Sequence, residues 1–130
     1  MWNVEGHAGR VGRRARTRIA RAESQSAVRV SSASVFEICT LNSEGRLHLA
    51  RPVEQWIDNG VESMCAQVVP LSMSIGVDAG LIPRAALPDP LDRFLVATAR
   101  QLNATLLTAD ARILDYASKT GHVRVADARR

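Results

Sequence analysis

Short runs of β-branched residues alternate with longer segments whose apolar residues recur at helical spacing, and that alternation decides the fold class. "AVRVSS", "AQVVPLS", "ATLLTAD" and "HVRVADA" read as strands. Between them, residues 11–24 form a helical pattern with Val11, Ala15, Ile19 and Ala22 in register. "SVFEICTLNSEG" reads as a helix that stops near Gly45. "RPVEQWIDNGVES" is another, with Pro52 suited to a first turn and Val53, Trp56, Ile57 and Val61 forming one stripe. "SMSIGVDAGLI" is a helix weakened by Gly76 and Gly80. A helix from Pro90 to about Leu102 and a short one, "ARILDYASK", complete the set. Strands separated by helices pair in parallel through right-handed crossovers, so the chain is expected to be α/β. Pro70 marks an edge strand or a strand end. With no internal repeat or linker, 130 residues suit a single domain spanning 1–130.

Aromatic residues are only 4% of the chain, so the core must be built of Ala, Val, Leu and Ile. The formal charge of +4 is uneven: residues 1–30 hold seven Arg against Glu5 and Glu23, a local +5, which leaves −1 for the rest. An Arg-rich end suggests an acidic partner, nucleic acid or protein; a solvated helix face gives the same pattern. "GRVGRRARTRIARA" also has the composition of a transit peptide, but its periodicity runs into the next element without a low-complexity break, as an integral surface helix would. Cys39 and Cys65 lie far apart with no C-x-x-C spacing and suit a reducing cytoplasm. His7, His48 and His122 have no zinc-ligand spacing, and no apolar run approaches the ~18 residues of a membrane span.

The chemistry sits in the acids. Ligands of open α/β sheets bind beyond the carboxyl ends of the strands. Ser34 and Glu37 come just after the end of the first strand, Asp110 ends "ATLLTAD", and Asp89 and Asp92 open the preceding helix. Oxygen-only ligands at such positions are what Mg²⁺ or Mn²⁺ takes. Each acid also has a purely structural reading. Ser34 and Glu37 have capping-box spacing, Asp89 and Asp92 flank Pro90 at a helix start, and Asp110 can cap "ARILDYASK". Capping leaves unexplained why Asp92 stands beside a second acid on an apolar helix, with two more acids at matching strand ends.

"VSSASVFEI" followed by "DPLDRFLVATARQLNATLLTADARI" resembles the PIN-domain family, and within it the VapC-type toxins of bacterial toxin–antitoxin pairs. The first stretch is similar to a strand followed by an S-x-x-E helix whose Glu faces the active site. The second is similar to a D-x-x-D-R helix followed by a strand ending T-x-D. "GRLHLARPVEQWID" and "VVPLSMSIGVDAGLIP" keep the family's order as well. The resemblance implies an α/β/α sandwich around a central, mostly parallel sheet. It also implies a Mg²⁺- or Mn²⁺-dependent endoribonuclease that acts on RNA, pairs with an antitoxin protein, forms a homodimer and works in the cytoplasm. By position, Glu37, Asp92 and Asp110 match the family's second, third and fourth acids. Asp89, Ser34, Thr108 and Arg93 match polar positions near the site, with Asp89 retained as a cap.

The departure from the family lies at the start. Its members open with a hydrophobic strand ending in Asp, the primary metal ligand. This chain opens "MWNVEGHAG", which resembles the segment just after that strand. The expectation is a PIN-like fold lacking its first strand and first catalytic Asp, through a late start or a truncation. That leaves two functions: a metal-dependent ribonuclease, or an inactive remnant that keeps only an antitoxin-binding surface. A receiver-type signalling domain also clusters acids around Mg²⁺. It needs a Lys opposite the acids, and Lys119, the only Lys, lies in a late helix-to-strand connection.

Overall fold

The computed structural model describes residues 11–130. The expectation of a missing first strand concerns residues 1–10 and lies outside the described residues. The elements are α1 (Arg13–Ser24), β1 (Arg29–Ser31), α2 (Ser32–Ser43), α3 (Val53–Ser63), β2 (Gln67–Val69), α4 (Met73–Leu81), α5 (Pro90–Gln101), β3 (Leu106–Thr108), α6 (Ala111–Thr120) and β4 (Val125–Asp127). All ten overlap the segments read from periodicity, α2 starting two residues before the expected Ser34, and the fold is α/β.

The chain divides into two compact units, Thr17–Pro70 and the remainder. In the first, β1 pairs in parallel with β2, Val30 opposite Val68 and Ser31 opposite Val69. Parallel strands need a long crossover, here supplied by α2 and α3. The Ser32 hydroxyl donates to the Val69 carbonyl at 3.0 Å, which fastens the start of α2 to the end of β2. Val30, Ala33, Ile38 and Leu47 are its buried apolar residues. The α3 stripe of Val53, Trp56, Ile57 and Val61 is half-buried.

In the second unit, β3 and β4 are parallel partners joined through α6, with Leu107 opposite Ala126 and Thr108 opposite Asp127. The described strands thus form two two-stranded ladders. Ile82, Leu87, Val96, Ala99, Ile113, Tyr116, Ala117 and Val123 make the core of this unit, with Leu95, Leu106 and Val125 packed on it. Gly12 donates to the Ala128 carbonyl at 2.9 Å and Arg14 to the Arg130 carbonyl at 2.8 Å, so the start of α1 is tied to the turn after β4.

Three of the helices that feed strands, α1, α3 and α5, stop in one way. Ser26, Cys65 and Asn103 each take φ near +50° after α1, α3 and α5. The next amides, of Ala27, Ala66 and Ala104, donate back to Ala22, Val61 and Ala99. This is the Schellman closure, usually made with glycine, as at Gly45 after α2, whereas α6 ends in the simpler left-handed cap at Gly121, whose amide donates to Ala117. It reverses the chain within two residues and so sets where each strand begins.

Candidate active site

Helix α5 starts on a cap. Asp89 is extended and its Oδ1 accepts the Leu91 amide at 2.9 Å, with Pro90 as the first helical residue. Asp92 is therefore in the first turn, where a carboxylate favours the amino end of a helix. An acid serving only that purpose can remain in water. Asp92 instead lies on the stripe shared with Val96 and Ala99, one and two turns on, and is 7% exposed. A carboxylate is costlier to hold there than in water. Arg93 is half-buried beside it; its Nε is buried and has no hydrogen-bond partner among the described residues.

α5 packs on β3. β3 ends at Thr108, whose hydroxyl accepts the Asp110 amide at 3.0 Å. Asp110 is the N-cap of α6: its Oδ1 accepts the Arg112 amide at 2.8 Å. The capping reading is thus correct for Asp110 as it is for Asp89. Capping engages one carboxylate oxygen, and a carboxylate has lone pairs to spare for a cation.

The carboxyl end of the β3–β4 ladder holds a further acid that sequence reasoning passed over. Asp127 is the register partner of Thr108. Arg129 grips it with Nε at 3.0 Å, a terminal nitrogen at 2.9 Å and its own amide at 2.9 Å. These hydrogen bonds hold the Asp127 carboxyl at about 2, below the usual carboxylate range, and push the Arg129 guanidinium up. The available signal was an acid at the end of "VRVAD" with Arg two residues later.

Ser34 and Glu37 lie in the other unit, and the capping box that is their alternative reading is not formed. The N-cap of α2 is Ser31, whose hydroxyl accepts the Ala33 amide at 3.1 Å. β1 passes directly into the helix there, so Ser34 is already its third residue and Glu37, half-buried, sits well inside it. Glu37 therefore does not cap α2. Among the described residues of either unit, no three His, Cys, Asp or Glu side chains gather closely enough to hold a metal ion. As donors, Asp92, Asp110 and Glu37 are hard oxygen ligands, the chemistry that Mg²⁺ and Mn²⁺ select.

A PIN-domain family model matches residues 4–119. The chain belongs to the PIN-domain family. A curated relative of this PIN chain, ribonuclease VapC22 of Mycobacterium tuberculosis (strain ATCC 25618 / H37Rv), is 31% identical over 87 residues, 67% of this chain. The match spans 65% of that relative, so this PIN chain covers just under two thirds of its length.

Proposed function

We propose that this chain is a single PIN domain over residues 1–130 acting as a divalent-metal-dependent endoribonuclease, the toxin of a toxin–antitoxin pair. The observation that carries this reading is Asp92, a carboxylate turned into the buried stripe of α5, which packs on the strand just before Asp110. The family membership and the ribonuclease relative give the same direction. Asp92 and Asp110 are the assigned ligands of Mg²⁺ or Mn²⁺ in their unit, directly or through water, and Glu37 is assigned to the same chemistry by its match to the family's acid. When bound, such an ion activates a water molecule and stabilises the charge that develops on a phosphodiester. Asp92 contributes a carboxylate whose direction is fixed by packing, and Asp110 one fixed by its cap. Thr108 holds the Asp110 backbone in place, while Arg93 and Ser34 supply polar groups near the acids. No described helix is long and apolar enough to cross a membrane, and we place the protein in the cytoplasm.

The partner proposals, an antitoxin and a second copy of the chain, rest on α4. Met73, Val77 and Leu81, one turn apart, form a row that is 86%, 57% and 77% exposed. An apolar helix face of this kind marks a protein contact. It also favours the second reading, a non-catalytic remnant that only binds its antitoxin.

Asp92→Asn separates the two. It keeps the side-chain shape and removes the charge, so Mg²⁺-dependent cleavage of RNA should fall by orders of magnitude with the fold retained. Cleavage that survives the substitution refutes the metal site. A wild-type chain that binds antitoxin and never cleaves RNA establishes the remnant.

A further inference from the structure

Helix α1 carries a row of arginines that the chemistry above does not use. Arg14, Arg18 and Arg21 are spaced four and three residues apart, which places them within about 60° of one another around the helix. All three are exposed, and among the described residues none has an ion pair or a side-chain hydrogen bond. The inner side of the helix lies about 100° round from the row, with Ala15 buried and Ile19 and Ala22 half-buried. Glu23, the one carboxylate of α1, is on the far side of the helix from Arg14. Like charges at these spacings weaken a helix, and of the three only Arg21, in the last turn, is favoured by the helix terminus.

We propose that this row seats the sugar–phosphate backbone of single-stranded RNA. Three guanidinium groups rise about 10 Å along the helix, the axial reach of three or four phosphates at about 3.4 Å per nucleotide of a stacked strand. Guanidinium pairs with phosphate through two parallel hydrogen bonds, which favours Arg over Lys for the task. A protein surface fits the face less well. Protein interfaces close around an apolar centre, and the side chains flanking this row, Thr17, Ser24 and Gln25, are polar and exposed. Contact with phosphates alone carries no base readout, so the row holds the strand and leaves sequence choice to other residues.

The inference rests on the chain acting on RNA, and its test is a binding measurement in EDTA, where cleavage plays no part. A labelled oligouridine is titrated with the wild-type protein, with R14Q/R18Q/R21Q and with the control R46Q/R51Q/R84Q, over a range of KCl concentrations. Gln preserves helix propensity, and circular dichroism checks the fold. Each phosphate contact on a single strand contributes about 0.7 to the slope of log K against log salt, so the row variant should lose about 2. That corresponds to about a hundredfold weaker binding at ~0.1 M salt. The control should lose far less, and R14K/R18K/R21K should recover most of the slope. Equal losses in row and control variants overturn the proposal, because net charge then suffices. So does row-dependent binding of an oligoglutamate of equal charge that exceeds RNA binding, which makes the face a protein-docking surface. Intact binding without cleavage on adding Mg²⁺ sinks the nuclease reading and leaves the row standing. Cleavage with no row dependence does the reverse.

Discussion

The two roles assigned to Asp110 can be separated by one atom. Its Oδ1 accepts the Arg112 amide and so begins α6, while the proposed chemistry needs its charge. Asn caps a helix as well as Asp does, so Asp110→Asn keeps the hydrogen bond and loses only the interaction of the charge with the helix terminus, about 0.5 kcal/mol. Asp110→Ala loses both, about 1.5–2 kcal/mol. A domain of this size shifts by about 3–5 °C for each kcal/mol, so in EDTA the Asn variant should melt about 2 °C below wild type and the Ala variant roughly 5–10 °C below it. Cleavage should track the charge and ignore the cap: both variants should lose at least about a hundredfold in Mg²⁺-dependent RNA hydrolysis. Asp89, which caps α5 in the same geometry, is the internal control: Asp89→Asn should melt about as far below wild type as Asp110→Asn does and cleave at close to the wild-type rate. Thermal unfolding by circular dichroism and initial rates on a labelled RNA provide the two readouts. If Asp110→Asn cleaves at the wild-type rate, Asp110 is a cap and nothing more. If Asp89→Asn is as inactive as Asp110→Asn, the division between cap and ligand is wrong.

Two further outcomes concern the chain ends of the same unit. At Gly12 a Cβ would overlap the backbone of Arg130, which cannot rotate away, so Gly12→Ala should break the paired bonds from Gly12 and Arg14 to the turn after β4. Two lost backbone bonds come to about 2–3 kcal/mol, a fall of about 6–15 °C in Tm that scanning calorimetry would detect. Asp127 is held at about 2 in the folded protein, below its ordinary unfolded value, so its contribution to stability is complete above pH ~4 and drains away as pH falls towards 2. Asp127→Asn should flatten the wild-type loss of stability over that interval, measured as urea midpoints against pH; an unchanged slope refutes the Arg129 grip.

The ten elements were legible because each is marked twice, by its period and by its ends. "DPLD" carries a cap, a proline and a first-turn acid in four residues, and α5 starts where they indicate. The α2 start was misplaced because serines at 31, 32 and 34 all suit a cap. What selects among them is where β1 releases the chain: Ser31 is the residue with extended backbone, and Ser34 is already inside the helix. No local pattern carries that information, since strand length is set by pairing with β2, 37 residues on at Ser32–Val69.

The candidate site was legible to a different extent at each residue. A cap and a ligand require the same side chain at the same place, so Asp89 and Asp110 look identical in sequence and nearly so in structure, each with Oδ1 on an amide two residues on. Burial is what distinguishes Asp92 from these two caps, and burial depends on the long-range packing of α5, visible in the sequence only as the stripe that Asp92 shares with Val96 and Ala99. Asp127 escaped notice for the complementary reason: its partner is Arg129, and a pair two residues apart falls outside the three- and four-residue spacings by which ion pairs are recognised on helices. At a strand end the backbone turns sharply enough to bring such a pair together. The carboxyl edge of the β3–β4 ladder therefore holds one acid matched by an arginine and one, Asp110, committed through a single oxygen to a helix. That difference is why the proposed metal chemistry is assigned to Asp110 and Asp92 and not to Asp127. A cation entering this edge would have to displace a bidentate guanidinium to reach Asp127, whereas Asp110 need give up no bond.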